Sequence, residues 1–427
     1  MLSIAHAAVH FPCFPRVRCR VNARHVRECT PSSWPGVRLS SAWAGDAYNI
    51  ARMRERARRS LPRPVFDFAD GAAETEWTLR RNESAFATKA FLPRPLQGAA
   101  TRDLTLTLFG QRLSMPLLIG PTGLAGLFWP DGELASARAA ASAGTVYCLS
   151  HGSVCTLEAL AALSTAPRWM QIFVYRDRAF TRELTDRAAA AGYHALVLTV
   201  DNQLLGNRER DTRNGFAIPP RFTPRQLVGM APQLPWLWRM RAALPRLTFG
   251  NYVHEGSKES LASLAGRMSS LLDPGLDWTH VRALRERWRG PLLLKGILHP
   301  DEALAAVRLG IDGLIVSNHG GRQLDGACSS FEALPAIVRA VRPTFPDLPI
   351  LIDGGIRRGT DLAKALALGA TAGLIGRPQL FGLAVAGEEG VAHVLEIYRR
   401  ELDKAMGLLG ARSLAELGPH LLVDAPG

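Results

Sequence analysis

The sequence predicts an α/β fold: a TIM (β/α)8 barrel with an N-terminal helical lead-in and a long insertion after strand four. Three observations support this prediction. Eight short apolar runs alternate with segments of helical periodicity, as in repeated strand-helix units. Four helical segments end at Gly144, Gly192, Gly310 and Gly369, and glycine is a common helix stop. No G-x-G-x-x-G follows the first apolar run, which disfavours the alternative, an open doubly wound sheet.

The N-terminal 45 residues differ from the rest of the chain in composition. Arginine, proline and serine recur there, and Glu28 is the only acidic residue. A continuous apolar stretch is missing, which argues against a secretory signal. A transit-like presequence is one alternative, and we favour a disordered or mis-assigned extension. The barrel domain is then expected over residues 46–427, with a basic helix from Ile50 to Ser60 near its start.

The barrel elements follow in order. After the helical lead-in from Leu61, residues 104–113 alternate around Phe109-Gly110, as in a short hairpin. Strands are predicted over residues 117–120, 146–149, 169–174, 195–200, 292–295, 314–316, 349–352 and 372–375. Helices are predicted over residues 131–143, 156–163, 177–191, 277–288, 331–341 and 361–368, with another beginning at Pro300.

Composition limits the partners. The hydrophobic content of 47% and charged content of 21% are typical of a globular protein with a sizeable core. A net charge of +13 suits anionic ligands or an anionic membrane surface. Nucleic acid is disfavoured because no zinc-finger, RNP-type or basic-region pattern occurs, and no metal site is predicted. Six cysteines without a C-x-x-C pair indicate free thiols in a reducing compartment, so we expect a cytoplasmic protein.

The carboxyl ends of the strands predict the site, because barrel enzymes place their chemistry on that face. Strand six leads into His319, Gly320-Gly321 and Arg322. Imidazole moves protons near neutral pH, and guanidinium binds carboxylates with a two-pronged fork. This pairing suggests chemistry on the carbon next to a carboxylate. Polar residues at other strand ends are expected on the same face: Ser150, Gln171, Thr199, Asp201, Arg208, Lys295 and Ser317.

The loops after strands seven and eight resemble a phosphate site. They contain Gly354-Gly355 with Arg357, and Gly376 with Arg377. Backbone N–H groups and arginines at this position commonly bind phosphate in barrels. The alternative is a tight turn flanked by surface arginines.

From about Leu61 to Leu414 the chain resembles the FMN-dependent α-hydroxy-acid dehydrogenases and oxidases, and is closest in look to the mandelate dehydrogenase branch. The matching motifs lie at residues 117–123, 198–201, 208–211, 317–325 and 353–355. The resemblance implies FMN as cofactor and oxidation of an L-2-hydroxy acid, mandelate- or lactate-like, to the 2-oxo acid. It also implies a quinone or other carrier as electron acceptor, and a homo-oligomer, a tetramer in the family.

The resemblance also implies residue roles. His319 is the base, taking either the α-proton or the hydroxyl proton of the substrate. Asp201 orients His319, Arg208 and Arg322 bind the substrate carboxylate, and Lys295 lies beside the flavin. The remaining residues implied to contact FMN are Pro121, Thr122, Gly123, Ser150, Gln171, Thr199, Ser317, Asp353, Gly354, Gly355, Arg357, Gly376 and Arg377.

Two positions depart from the family pattern. Phe68 and Phe173 stand where tyrosines usually contact the substrate, which makes the substrate less certain and fits a larger or more apolar one. The two phenylalanines also leave open a non-catalytic flavin-binding remnant. Two further alternatives are an oxidase that reduces dioxygen to hydrogen peroxide and a Schiff-base lyase that uses Lys295.

The insertion, about residues 216–258, is rich in arginine, tryptophan and apolar residues, and Glu255 is its only acid. This balance suits an anionic membrane surface, and a membrane-binding segment at this place is a feature of the mandelate dehydrogenase branch. Residues 236–241 are the expected contact, on the cytoplasmic face of the inner membrane. A lid over the site or a subunit contact is the alternative.

Overall fold

The computed structural model describes residues 42–163, 166–215, 233–253, 266 and 270–425. Most of the predicted N-terminal extension therefore lies outside the described residues, and so do residues 216–232 and 254–258 of the insertion. The helix expected from Ile50 to Ser60 has those bounds, and the side chain of Asn49 caps it by accepting from the Arg52 N–H at 2.8 Å.

Eight parallel strands close into the predicted barrel, because the last strand pairs with the first. The open sheet is thereby excluded. All eight are runs of mainly buried residues, as expected of parallel strands covered on both faces. In chain order they are β1 Leu117–Ile119, β2 Tyr147–Leu149, β3 Arg168–Ile172, β4 Ala195–Thr199, β5 Leu292–Ile297, β6 Gly313–Val316, β7 Ile350–Ile352 and β8 Ala372–Ile375.

Helices surround the barrel, and side chains cap several of them. Thr156 accepts from the Ala159 N–H at 3.1 Å, and Ser329 and Glu332 form a capping box. Their bounds are Gly132–Ser142, Leu157–Ala161, Arg178–Ala190, Trp278–Arg287, Pro300–Arg308, Ser330–Val341, Gly359–Ala367 and Arg377–Leu409.

The last of these helices was not among the predictions. It is interrupted at Ala386 and Gly387, where φ of Gly387 is 59°. A Cβ at Gly387 would lie 2.5 Å from Trp129, so glycine is required there by a tertiary contact.

The lead-in consists of helices Ala42–Asp46, Ile50–Ser60, Arg63–Asp70 and Trp77–Ser84. It packs on the loop after β6. The Ala73 N–H donates to the Gly321 carbonyl at 2.9 Å, and the Thr78 N–H donates to Asp325 at 2.8 Å. The lead-in therefore covers the carboxyl ends of the strands.

The barrel interior is a separate apolar layer. Residues at alternate strand positions face inward, among them Leu118, Val197 and Ile315. The predicted hairpin, strands Leu106–Leu108 and Gln111–Leu113, adds Leu108 and Leu113 to this layer. The hairpin thus closes the end of the barrel opposite the lead-in.

Two other strands pair at long range: Lys89–Phe91 runs antiparallel to Leu422–Asp424. Short helices Glu209–Arg213 and Leu234–Met240 follow β4. Among the described residues, no helix has the length and apolarity needed to cross a bilayer.

Candidate active site

The expected site residues continue the inward-facing positions of the barrel core. Because side chains alternate along a strand, every second residue points toward the barrel axis. From buried Val197 in β4 this count leads to Thr199 and Asp201. The same count leads from Cys148 to Ser150, from Trp169 to Gln171 and Phe173, from Leu293 to Lys295, from Ile315 to Ser317 and His319, from Leu351 to Asp353, and from Leu374 to Gly376.

These positions surround one cavity of ≈ 360 Å³. All the expected site residues line it except Asp201 and Ser317. Those two support residues that do line it: Asp201 Oδ1 lies 2.9 Å from His319 Nδ1, and Lys295 Nζ donates to Ser317 Oγ at 2.7 Å. The fold therefore brings the whole expected set together.

His319 lines the cavity and forms a hydrogen-bonded pair with Asp201. Burial raises the pKa of Asp201, but the charge and hydrogen bond of His319, then the charge of Lys295, hold it below its ordinary value. Asp201 is thus a carboxylate that fixes a proton on Nδ1 of His319, leaving Nε2 to accept another. The backbone of His319 is left-handed, with φ 59°, a sparsely populated conformation that recurs at functional sites.

Lys295 is a buried ammonium group. Its Nζ lies 2.9 Å from Asp353 Oδ2. Burial lowers the pKa of Lys295, but the charges of Asp353 and Asp201 more than offset this and raise it above the ordinary value. The residue therefore contributes a fixed positive charge at the end of β5, beside Thr199, with which it pairs in register.

Two arginines face the cavity near His319. Burial, followed by the charges of Arg208 and Arg377, lowers the pKa of Arg322 well below its usual range. Burial also lowers the pKa of Arg208. Arg322 Nη1 donates to the carbonyls of Phe68 at 2.9 Å and Gly71 at 2.8 Å, which fixes the guanidinium. Two desolvated cations that repel each other favour an anion between them.

A second cationic region lies at the ends of β7 and β8. Burial, then the charge of Arg357, lowers the pKa of Arg377 to about 10. Beside them Gly355 has φ 83°, and a Cβ there would lie 1.9 Å from the Asn82 carbonyl oxygen. Only glycine lets the backbone pass so close to the lead-in. Open N–H groups with paired arginines suit a phosphate group.

Phe68 and Phe173 both line the cavity, as expected. The Arg322 guanidinium carbon lies 5.4 Å from the centroid of the Phe68 ring, a cation–π contact. The centroid of Phe173 lies 4.4 Å from that of His151. The two rings give the pocket an apolar wall next to its charged groups.

Several buried polar atoms of the site have no hydrogen-bond partner among the described residues. They are Thr199 Oγ1, Asp201 Oδ2, Arg208 Nε and Asp353 Oδ1. Buried polar atoms are rarely left unsatisfied, since each costs about 1–3 kcal/mol. Their concentration around one cavity indicates a site built for a polar ligand.

Sequence reasoning did not single out the rest of the lining. His151, Asn202, Leu205, Phe249 and Leu272 also border the cavity. His151 follows Ser150 directly at a strand end, a signal that was available. Phe249 and Leu272 come from beyond β4, and only tertiary structure brings them to the cavity.

The described part of the insertion shows which residues are accessible. In helix Leu234–Met240, Trp236 and Met240 are fully buried, whereas Leu234 is 60% and Trp238 66% exposed. The guanidinium of Arg239 stacks on Trp129 at 4.1 Å. The expectation that all of residues 236–241 form an outer contact surface is thus corrected: one face of the helix belongs to the core.

Comparisons with known proteins agree with this geometry. The profile of the FMN-dependent dehydrogenase family matches residues 57–424. An L-lactate dehydrogenase from Caulobacter vibrioides is 42% identical over 372 residues, covering 87% of this chain and 96% of that protein. The crystal structure of the monotopic membrane protein (S)-mandelate dehydrogenase aligns with a TM-score of 0.84 and 38% identity, covering 88% of this chain and 99% of that one. The structure of a mandelate oxidase mutant with (S)-mandelic acid aligns with a TM-score of 0.75 and 36% identity, covering 89% of this chain and 99% of that one.

Proposed function

Because the chain belongs to the FMN-dependent dehydrogenase family, we propose that His319 and Asp201 are the proton-accepting pair with which it oxidises an L-2-hydroxy acid to the 2-oxo acid. The observation that supports this most directly is the 2.9 Å contact of Asp201 with His319, which lines a cavity that two partly buried arginines also line.

The residues present fit FMN. When bound, FMN accepts the two electrons that oxidation of a hydroxy acid releases. Thr199 Oγ1, a buried atom without a partner among the described residues, is a hydrogen-bonding group for the ring. Lys295 adds positive charge beside it. Gly354, Gly355 and the pair Arg357 and Arg377 would hold the phosphate. Ser317 does not line the cavity and instead positions Lys295. The other residues expected to contact FMN all line the cavity: Pro121, Thr122, Gly123, Ser150, Gln171, Asp353 and Gly376.

The protein's own groups account for the rest of the reaction. Arg208 and Arg322 bind the carboxylate of the substrate, and the desolvated site strengthens those bonds. Nε2 of His319 accepts the proton that leaves the substrate. The Asp201 carboxylate stabilises the imidazolium that results. Lys295 is not available as a Schiff-base nucleophile, because its raised pKa keeps the amine protonated, so the lyase alternative is not supported.

We propose a substrate with an apolar side chain, mandelate-like in preference to lactate. The support is the apolar wall of Phe68, Phe173, Leu205, Phe249 and Leu272. A relative that is 42% identical is an L-lactate dehydrogenase, and a structural neighbour that is 38% identical is an (S)-mandelate dehydrogenase, so both acids belong in the test.

The decisive experiment is an anaerobic visible spectrum of the purified protein before and after addition of (S)-mandelate, L-lactate and their enantiomers. We expect a flavin spectrum that the L-acids bleach and the D-acids leave unchanged. A protein that binds no flavin, or a bound flavin that no 2-hydroxy acid reduces, contradicts the proposal and favours the non-catalytic alternative.

For the electron acceptor we propose a quinone or similar carrier reached at a membrane surface, with the protein peripheral on the cytoplasmic face of the inner membrane and assembled as a homo-oligomer, namely a tetramer. The exposed Leu234 and Trp238 support membrane contact. Reoxidation of the reduced protein by a short-chain quinone is expected to outpace reoxidation in air. Faster reaction with dioxygen, with hydrogen peroxide formed, would make it an oxidase, and light scattering tests the tetramer.

A further inference from the structure

His151 occupies a position in the site that the chemistry above does not use. It follows β2, lines the cavity and lies beside the Phe173 ring. Its Nδ1 lies 2.5 Å from the hydroxyl oxygen of Tyr252, in a turn that follows the insertion helix. Among the described residues no hydrogen bond involves the opposite ring nitrogen, Nε2, on the ring edge away from Tyr252.

The loop that presents His151 is held in place by Asn251. The Asn251 side chain donates to the His151 carbonyl at 3.2 Å and to Ser153 Oγ at 3.0 Å. Its own oxygen accepts from the Leu157 N–H at 2.9 Å. Asn251 is 1% exposed, so these bonds are shielded from water. The end of the insertion and the loop after β2 are therefore joined as one rigid support.

Two tyrosine hydroxyl groups form a hydrogen-bonded chain that ends at His151. Tyr175 and Tyr252 share a hydrogen bond of 2.7 Å between their hydroxyl oxygens. Burial raises the pKa of Tyr175, and the bond from Tyr252 and the backbone of Phe173 both act to lower it. Either hydroxyl can be the donor in the bond between Tyr175 and Tyr252. Donation from the Tyr252 hydroxyl to His151 Nδ1 would place the imidazole proton on Nε2.

His151 differs electrically from His319. Burial, followed by the charge of His319, lowers the pKa of His151 to about 3. The ring is therefore neutral at physiological pH and cannot act as a second cation. A neutral imidazole can donate a hydrogen bond without adding to the repulsion among Arg208, Arg322 and Lys295.

We propose that the Tyr252 hydroxyl donates to His151 Nδ1 and that His151 donates from Nε2 to an oxygen of the bound 2-hydroxy acid. This bond supplies the contact that Phe173, which has no hydroxyl, cannot make, and Tyr252 and Tyr175 hold the donor in place. This inference rests on the proposed function. It makes His151 a determinant of substrate binding, in a pocket whose other wall is apolar.

The test compares His151→Leu with His151→Gln in the FMN-bound protein. Loss of a hydrogen bond to a charged or charge-developing oxygen is expected to lower kcat/KM for (S)-mandelate about 10- to 100-fold in His151→Leu. His151→Gln retains an N–H donor and is expected to recover most of the loss. Binding of oxalate, followed by the flavin absorbance change without turnover, is expected to weaken and recover in parallel.

A second comparison tests the contribution of the Tyr252 hydroxyl. Tyr252→Phe removes the hydroxyl that orients His151, whereas Tyr193→Phe removes another buried hydroxyl, bonded to the Leu157 carbonyl at 2.8 Å and outside the cavity lining. Only Tyr252→Phe is expected to weaken oxalate binding. Wild-type kcat/KM and oxalate affinity in His151→Leu would overturn the inference. If His151→Leu does not retain FMN, unchanged oxalate binding by Tyr252→Phe overturns it. Absence of flavin reduction in the unaltered protein would overturn the proposed function instead.

Discussion

At the scale of single residues, burial and neighbouring charges set the protonation state of each ionisable group in the site. Asp201 stays ionised and Lys295 stays protonated because each has an opposite charge nearby. His151 stays neutral because burial and the charge of His319 both act against protonation. We therefore propose different tasks for the two histidines of one cavity, proton acceptance for His319 and hydrogen-bond donation for His151.

Replacing the proposed base tests the first of these tasks. His319→Gln is expected to keep FMN, because its contacts are with Asp201 and Ser317. Anaerobic flavin reduction by (S)-mandelate should slow by about 10²–10⁴-fold, the usual effect of removing a general base. Stopped-flow absorbance gives the rate, and the flavin content of the variant is its control. Near-normal reduction would remove His319 from the reaction.

The missing hydroxyl at position 173 gives another residue-scale prediction. Phe173→Tyr is expected to raise kcat/KM for L-lactate by about one to two decades, because a phenol donating to a developing oxyanion or a carboxylate adds roughly 1.5–3 kcal/mol. For (S)-mandelate the hydroxyl would crowd the pocket, and kcat/KM should fall. Phe68→Tyr is the companion variant, and the lactate-to-mandelate ratio is measured in both. A ratio unchanged in both variants would mean that neither ring faces the substrate.

At the scale of elements, the helix Leu234–Met240 has one buried face and one exposed face. Trp236 and Met240 pack into the core, which fixes the helix on the barrel. Leu234 and Trp238 are exposed, and Trp238 stacks with the guanidinium of Arg241 at 3.9 Å. Exposed aromatic and apolar groups with arginines suit the interface of an anionic bilayer.

The apolar side chains on the exposed face of this helix can be replaced without changing those on the buried face. Leu234→Gln with Trp238→Gln should weaken co-sedimentation with phosphatidylglycerol vesicles by about tenfold or more, because burying each side chain is worth roughly 1.5–3 kcal/mol. Flavin reduction should not change. The matched control is Leu408→Gln, since Leu408 is 66% exposed on the last helix. Equal vesicle binding by the double variant and the control would contradict membrane contact through this helix.

At the scale of the whole molecule, charge clusters join the lead-in to the barrel. Asp70 accepts from Arg54 at 2.6 and 2.7 Å and from Arg210 at 3.1 Å, and it is 4% exposed. Burial raises the pKa of Asp70, but the hydrogen bond and charge of Arg54, then the charges of Arg377 and Arg210, hold it below 3.8. One carboxylate thus connects two lead-in helices with the short helix Glu209–Arg213 after β4.

This connection predicts a pH-dependent stability. A carboxyl group with a depressed folded-state pKa stabilises the protein fully above its unfolded pKa, and the contribution is lost as pH falls through the folded pKa. Asp70→Asn should lower the free energy of unfolding by about 1.5–3 kcal/mol at pH 7. Urea unfolding should show the same difference at pH 5 and a smaller one below about pH 3.8. A difference that grows on acidification would contradict this assignment.

The sequence by itself determined the barrel and most of the residues that line the candidate site. Strand and helix periodicity are local properties, and the parity of side chains along a strand extends from the buried core to the strand end. For this reason strand parity alone assigns Ser150, Gln171, Thr199 and Lys295 to one face. Helix caps and glycine stops are local as well, so most boundaries were predicted to within a few residues.

Only the tertiary structure decided the contacts between distant segments. The pairing of Lys89–Phe91 with Leu422–Asp424, the closeness of Tyr252 to His151, and the burial of Trp236 join residues that no local pattern relates. The charge states of Asp201, Lys295 and His151 were likewise decided only by the tertiary structure. Each of these charge states depends on burial and on charges from other strands. The burial and the neighbouring charges both arise only when the barrel closes.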